Sequence, residues 1–482
     1  MASIITYLKL RRRDSAMDIS CTDVDPSKPS QRDSDSVLEM KSLGVCIGSG
    51  LNRLTCALVQ YTQDAPHAPL RLQVLQSSNI PILSTARLSI LKALCDAHSQ
   101  PSAIALFNAQ LGKLFADGIR TFCDRHDITL ESIEFIGAHS ATVPARRRSD
   151  EGHGSALQLF NWIATIAEET KITTIFDYAV IEKLAIQPLA SPIAFVNKLF
   201  LRHPSKFRAC LNISELANIN FIPPLNDSSG HITMSRDCGP GSLLIDYAMA
   251  YCTSNDHCED DNGAYATKGK INQDIVDRFL RSHDYLRDLP PLIIAREMFG
   301  DHDGQRLLDE CILMDICAED TIATITRVTA QNIVIQYRRL LAHYFPSGQQ
   351  VDELFLCGAS ARNANIVDHL KAQLPESIIT KLLDDIGIPG EANEAICYAH
   401  LALETALAQA TQPPPSFTSI NGSIPSSSAS DAHIRATIMR GHGWEDISAR
   451  IVRFSGGKQL QLTKEIQCNG NLDTAMQELK LS

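Results

Sequence analysis

The chain has 482 residues, 44% of them hydrophobic and 21% charged, which are the proportions of a globular protein with room for two or three cores. Its formal net charge of -11 speaks against general binding to nucleic acid or to an anionic membrane, since both need a basic face. No apolar run reaches the roughly 18 residues of a spanning helix, and the 14 cysteines include no Cys-x-x-Cys pair, so a cytoplasmic protein with reduced, mostly packed thiols is expected.

Residues 1–40 are rich in Ser, Asp, Lys, Arg and Pro and bury too little apolar surface to offset chain entropy, so disorder is expected there. From Leu43 the pattern changes to strands at 43–47, 54–61 and 70–75, the first two joined by Gly48-Ser49-Gly50. Helical periodicity follows at 84–98 and 102–125, then a buried strand at 133–137 runs into Ala138-His139-Ser140, with a helix at 155–169 and a strand at 172–176. Three antiparallel strands followed by alternating helix and strand describe a ribonuclease-H-like domain over 41–205. The order repeats in a second domain over 206–412, with strands at 208–213, 217–222 and 232–235 and a helix from Pro240. A helical insertion, a strand at 354–357, a helix at 362–373, a strand at 378–382 and a helix at 391–410 complete it. Residues 413–430 are rich in Pro and Ser and form a linker. The extension 431–482 carries expected strands at 449–454 and 460–462 and a helix at 472–481, and either packs on the body or binds a partner.

Within the second domain, Asp237-Cys238-Gly239-Pro240-Gly241-Ser242 reads as strand, glycine turn and helix start. Gly239 and Gly241 permit the tight turn, Pro240 presets φ for a first helical turn, and the helix beginning at Leu243 would aim free N–H groups at an anion. A plain glycine-rich connection is the alternative. The nearby run of Cys252, Asp256, His257, Cys258, Glu259, Asp260 and Asp261 matches no standard metal spacing and reads as a solvated acidic loop.

Several blocks occur in a telling order: Leu211-Asn212-Ile213 with Ala217-Asn218, Asp237 to Ser242, Asp261-Asn262-Gly263-Ala264-Tyr265-Ala266 with Gly269-Lys270, and Pro290-Pro291 with Arg296-Glu297. Cys357-Gly358-Ala359-Ser360-Ala361-Arg362-Asn363 and Gly387-Ile388-Pro389-Gly390 with Glu394-Ala395 follow. Over residues 43–422 the chain resembles the anhydro-N-acetylmuramic acid kinases, most strongly from 208 to 405. The resemblance implies an α/β fold of the sugar kinase, actin and heat-shock chaperone superfamily, with two ribonuclease-H-like domains around a central nucleotide cleft. It further implies ATP as cofactor, Mg²⁺ beside it, and an amino sugar as the other small-molecule partner.

Residue by residue, the resemblance is uneven. The family's first hairpin reads Gly-Thr-Ser-x-Asp-Gly-x-Asp. Here Gly48, Ser49 and Gly50 keep the turn, either to cradle phosphate or as ordinary hairpin residues, but Asn52 and Thr55 stand where the carboxylates would be, and both are poor magnesium ligands. Arg53 adds a fixed cation to that hairpin and would screen phosphate charge in place of the metal. His-Gly-Gln-Thr-Val becomes His139-Ser140-Ala141-Thr142-Val143, leaving His139 either to orient a substrate or simply to be hydrogen-bonded. The general base ending Asp-Phe-Arg-Arg-Arg-Asp aligns with Glu182, one methylene longer and without the arginines, and a surface glutamate next to Lys183 is the alternative. Asn-Ile-Gly-Gly-Ile-Ala-Asn becomes Asn212-Ile213-Ser214-Glu215-Leu216-Ala217-Asn218, and Glu215 would repel a terminal phosphate. Gly239 and Gly241 remain for phosphate and Asp237 for substrate, while Gly358, Ser360 and Asn363 serve either backbone approach to the base or ribose or a plain glycine turn next to a helix. Two functions follow. One is an ATP-dependent kinase that opens the 1,6-anhydro ring and phosphorylates O6, with catalysis impaired or altered. The other is a non-catalytic pseudokinase that binds nucleotide or sugar. Homodimerisation is left open.

Overall fold

The computed structural model describes residues 37–48, 50–97, 101–140, 161–182, 189–226, 233–287, 299, 301–411, 432–458, 460 and 466–468. The first half of the chain forms β1 (Leu38–Ile47), β2 (Arg53–Gln63), β3 (Leu70–Pro81), α1 (Ser84–Ala97), α2 (Pro101–Arg125), β4 (Phe135–Ser140), α3 (Trp162–Thr170), β5 (Thr173–Glu182), β6 (Leu189–Ala190) and α4 (Pro192–Leu201). There follow β7 (Arg208–Ile213), β8 (Leu216–Ile222), β9 (Met234–Pro240), α5 (Leu243–Cys252), α6 (Gln273–Ser282), α7 (Asp284–Arg287), α8 (Asp301–Leu313) and α9 (Ala318–Tyr344). The last elements are β10 (Glu353–Cys357), α10 (Ala364–Gln373), β11 (Ile379–Leu382), α11 (Asn393–Thr411), β12 (Ala432–Met439), α12 (Trp444–Ser455) and β13 (Ile466–Cys468).

The strands divide into two sheets. In the first, β3-β2-β1 is an antiparallel meander and β4 and β5 add parallel to β1; in the second, β9-β8-β7 is the meander and β10 and β11 add parallel to β7. This is the ribonuclease-H-like strand order twice, and the protein is an α/β molecule of two such units. Helices α4 and α11 lie between the sheets and share one apolar core with residues of both, among them Met40, Val180, Cys210 and Phe355. The outer face of the first sheet carries α1, α2 and α3, and α2 contributes Phe107, Phe115 and Phe122 to the core between them. The outer face of the second carries the helical insertion.

Two glycines let α11 rest on the first sheet. Gly44 and Gly137 are register partners across β1 and β4. A Cβ at Gly44 would fall 1.7 Å from the Ala395 carbonyl oxygen, and one at Gly137 would fall 2.1 Å from that of Tyr398. The helix backbone therefore sits directly on the pleat, and Ser42 Oγ donates to the Ala399 carbonyl at 2.8 Å.

Several expected boundaries move. β1 begins at Leu38, inside the segment expected to be disordered, because Leu38 and Met40 are buried opposite Gln63 and Tyr61. Pro240 ends β9 opposite Leu216 rather than opening a helix, which begins at Leu243; an edge strand tolerates the missing N–H. The strand expected at 449–454 is α12, since Trp444, Ile447, Ile451 and Phe454 recur at helical spacing and pack inward, and Gly456 ends the helix at φ 61°. β12 and β13, beyond the expected linker, pair with β5 and β3 and close both edges of the first sheet. Residues 1–36, the linker and the helix expected at 472–481 lie outside the described residues. Among the described residues no helix is long and apolar enough to cross a membrane.

Candidate functional site

The turn between β7 and β8 is gripped from both sides. The N–H groups of Gly241 and Leu243 donate to the Glu215 carbonyl at 2.9 and 3.2 Å, and that of Ser242 to the Ser214 carbonyl at 2.8 Å. The start of α5 thus spends its first donors on this turn, and the expectation that they stand free for an anion is corrected. Gly241 is there for close packing: a Cβ would meet the Ser214 carbonyl oxygen at 2.1 Å. Gly239, at φ 123°, packs against Asn332 of α9 and Leu286 of α7. On the other side of the turn, Ser360 N–H donates to the Ile213 carbonyl at 2.9 Å, and Gly358, at φ 92°, lies against Asn212 and Ile213. Ser214 Oγ and Asn212 Nδ2 both donate to Glu394 Oε1, at 2.9 and 3.1 Å. The turn is held by α5, by the Gly358 loop and by the first turn of α11.

Facing it is the turn between β1 and β2. Gly50 N–H donates to Glu215 Oε1 at 3.1 Å, across the junction of the two sheets. A Cβ at Gly48 would lie 2.6 Å from the same oxygen, so glycine there makes room for the carboxylate. Leu51, at φ 53°, closes the turn by donating to the Gly48 carbonyl. Ser49 lies outside the described residues.

Around this contact the charge is mostly negative. Arg53 is paired with Glu259 at 2.6 Å and stands 3.8 Å from Glu391, so its guanidinium ties the first hairpin to the loop after α5 and to the turn before α11. The acidic loop is therefore partly structural: Glu259 holds Arg53, and Asp260 accepts the N–H groups of Tyr265 and Ala266. Thr55 Oγ1 donates to Asn79 Oδ1 at 2.8 Å, and Asn79 donates to Glu391. Asp246 of α5 takes the Ser242 hydroxyl at 2.7 Å. Burial, with the charges of Glu259 and Glu215, pushes its carboxyl up to about 8 against the Ser242 bond and Arg53. At the first hairpin the two positions where the family has aspartates offer a magnesium ion no carboxylate, since Asn52 and Thr55 are neutral.

The remaining candidates lie on β4, β5, β9 and the start of α10. His139 of β4 stands between buried Ala138 and Ser140 and stacks on Tyr398 with ring centroids 4.5 Å apart. Burial lowers its imidazole to about 4, which keeps it neutral at pH 7. Tyr178 lies against Tyr398 as well, at 5.6 Å. Glu182 is the last residue of β5, opposite Ala432 of β12. Asp237 of β9 accepts from Asn218 Nδ2 at 2.8 Å. Asn363 caps α10, its side chain accepting the N–H groups of Asn365 and Ile366. The block from Pro290 to Glu297 lies outside the described residues. Sequence reasoning missed Glu394 and Asp246 as site residues. Glu394 sits in the block quoted for the resemblance, and Asp246 is a lone acid four residues after Ser242 on an otherwise apolar helix; both signals were present.

The family model described as anhydro-N-acetylmuramic acid kinase matches residues 40–424. Over 363 residues the chain is 28% identical to the anhydro-N-acetylmuramic acid kinase of Bacillus cereus (strain AH820), covering 75% of this chain and 92% of that one. The kinase of the same description from Bacillus thuringiensis (strain Al Hakam) is also 28% identical, over 75% of this chain and 91% of its own length. Among solved structures, component A of (R)-2-hydroxyglutaryl-CoA dehydratase from Acidaminococcus fermentans overlaps 76% of this chain and 98% of its own at 11% identity, with a TM-score of 0.39, too loose a likeness to argue from. The family match takes in both facing turns, the Gly358 loop and α11 and ends before β12, and the chain belongs to the anhydro-N-acetylmuramic acid kinase family.

Proposed function

We propose that the protein binds an adenine nucleotide and an anhydro amino sugar at the junction of its two sheets and acts as a slow, ATP-dependent anhydro-N-acetylmuramic acid kinase. The observation that carries this reading is the meeting of the two hairpin turns at Gly50 and Glu215, 3.1 Å apart, inside the family-matched region. In the reaction a water opens the 1,6-anhydro ring and O6 receives the phosphoryl group; Glu182 would take the water's proton, and His139, neutral and stacked on Tyr398, would face the sugar as a hydrogen-bonding group. Transfer is attenuated because Asn52 and Thr55 supply no negative oxygen for a metal. Ala179, Val180 and Ile181 also stand where the family has arginines, and a base displaced by about 1 Å costs around a hundredfold in rate. The test is the full chain with ATP, Mg²⁺ and the anhydro sugar, followed by ADP release and by phosphorus NMR of the product. The expected result is a 6-phosphorylated, ring-opened sugar formed at about 0.1 s⁻¹ or slower, against a typical enzyme turnover of about 10 s⁻¹. Brisk turnover would remove the attenuation, and a product phosphorylated elsewhere would remove the assigned reaction.

The second reading, a pseudokinase that binds nucleotide or sugar without transfer, is favoured by one observation: the Glu215 carboxylate already occupies the Gly50 N–H. Nucleotide binding with no phosphorylated sugar after prolonged incubation would select it.

A further inference from the structure

The geometry points to Glu215 as the residue that sets which nucleotide the junction accepts: its carboxylate takes the place of a terminal phosphate, so the site prefers a nucleoside diphosphate to a triphosphate. This rests on the reading of the junction as a nucleotide site. A backbone N–H in a glycine turn is an anion donor, and here a carboxylate oxygen already accepts it at 3.1 Å. The space is shaped for that oxygen, because any side chain at Gly48 would strike it at 2.6 Å. Its main chain is fixed as well: the Glu215 carbonyl accepts from Gly241 and Leu243, and the neighbouring Ser214 is tied to Glu394. Glu215 is therefore presented to the first hairpin by a braced turn. Arg53, the cation of that hairpin, is already engaged by Glu259 and Glu391, whose carboxylates add negative charge beside the contact. A third phosphate would have to displace a held carboxylate and then sit among like charges; a diphosphate that ends short of Gly50 would not.

The test is calorimetric titration of the full chain with ADP and with ATP, in EDTA, for the wild type, Glu215→Gly and Glu215→Gln. Wild type should bind ADP at least as tightly as ATP. Glu215→Gly should tighten ATP by about tenfold or more while ADP changes by less than about threefold, and Glu215→Gln, which keeps an acceptor for Gly50 but loses the charge, should fall between. A thermal melt accompanies each variant, and if the glycine variant fails to fold, the glutamine variant alone carries the comparison. An unchanged ratio of ATP to ADP affinity in the folded variants would overturn the role of Glu215 and leave the nucleotide site standing. Failure of both nucleotides to bind any of the three proteins would overturn the nucleotide reading and this inference with it.

Discussion

Glu353, at the start of β10, is a buried carboxylate held by Lys381 at 2.8 Å, Arg208 at 2.7 Å and Lys206 at 3.0 Å. Burial alone would raise its pKa. The bonds from Lys381 and Lys206 and the charge of Arg208 outweigh burial and hold the group at about 2 against an ordinary 4.5. A depressed carboxylate contributes stability above its unfolded pKa and loses it as pH falls through the folded one. Glu353→Gln should therefore cost about 2 to 3 kcal/mol at pH 7, the partly exposed cations moderating the loss expected for a broken buried pair. In urea melts the gap between wild type and variant should narrow as pH falls from 4.5 towards about 2. A gap that does not depend on pH would show that Glu353 acts by shape rather than charge. At this scale the sequence made residue types legible but not their partners. Gly48 and Gly50 were readable as a turn, and Glu215 was readable as an intruder in a glycine pair. That the two meet depends on contacts 165 residues apart in the chain, which no local pattern encodes. Gly241 misled for the same reason: the glycine serves a close approach to Ser214, and a turn glycine that binds anions looks identical in sequence.

At the scale of elements, β5 shows how a local irregularity places chemistry. Ile175 and Val180 share the core between the sheets and Phe176 faces the outer core, although an unbroken strand would put Ile175 and Val180 on opposite faces. The register against β12 shifts between Arg435 and Thr437, so that two residues of β5 oppose one of β12, and Asp177 in that bulge has φ 57°. The bulge resets the phase of the strand that ends at Glu182. Asp177→Gly keeps that backbone accessible and should leave stability nearly unchanged, whereas Asp177→Val should cost about 2 kcal/mol more, because a β-branched residue in the left-handed region is strained. Equal melting temperatures for the two variants would show that the bulge is not fixed by residue 177. The periodicity of β5 was legible only as far as Phe176, since the bulge breaks the alternation that marks a strand. α12 was misread because its Ile451-Val452 pair favours a strand locally, while packing of Trp444, Ile447 and Ile451 on the core decides for a helix.

Across the whole molecule the repeated strand order was the most legible feature, because two meanders each followed by alternating helix and strand leave few ways to fold. The edges of the first sheet were not legible: β12 and β13 come from beyond the family match, and short strands joined to a sheet by long connections carry little signal of their own. Since β1 begins at Leu38, removing residues 1–36 should move the melting temperature by less than about 2 °C, while removing residues 1–42 should lower it by more than about 5 °C by deleting buried Leu38 and Met40. Equal melts for the two truncations would contradict the place of β1 in the core. We propose that this molecule keeps its family's nucleotide junction but holds the phosphate position with the Glu215 side chain, beside a first hairpin that has lost its metal-binding carboxylates. The most direct test of this proposal is the affinity of the full chain for ATP measured by titration with Mg²⁺ and again in EDTA. The two affinities should agree within about threefold. ATP binding that is lost in EDTA, with brisk ADP release once Mg²⁺ and the anhydro sugar are supplied, would contradict the proposal.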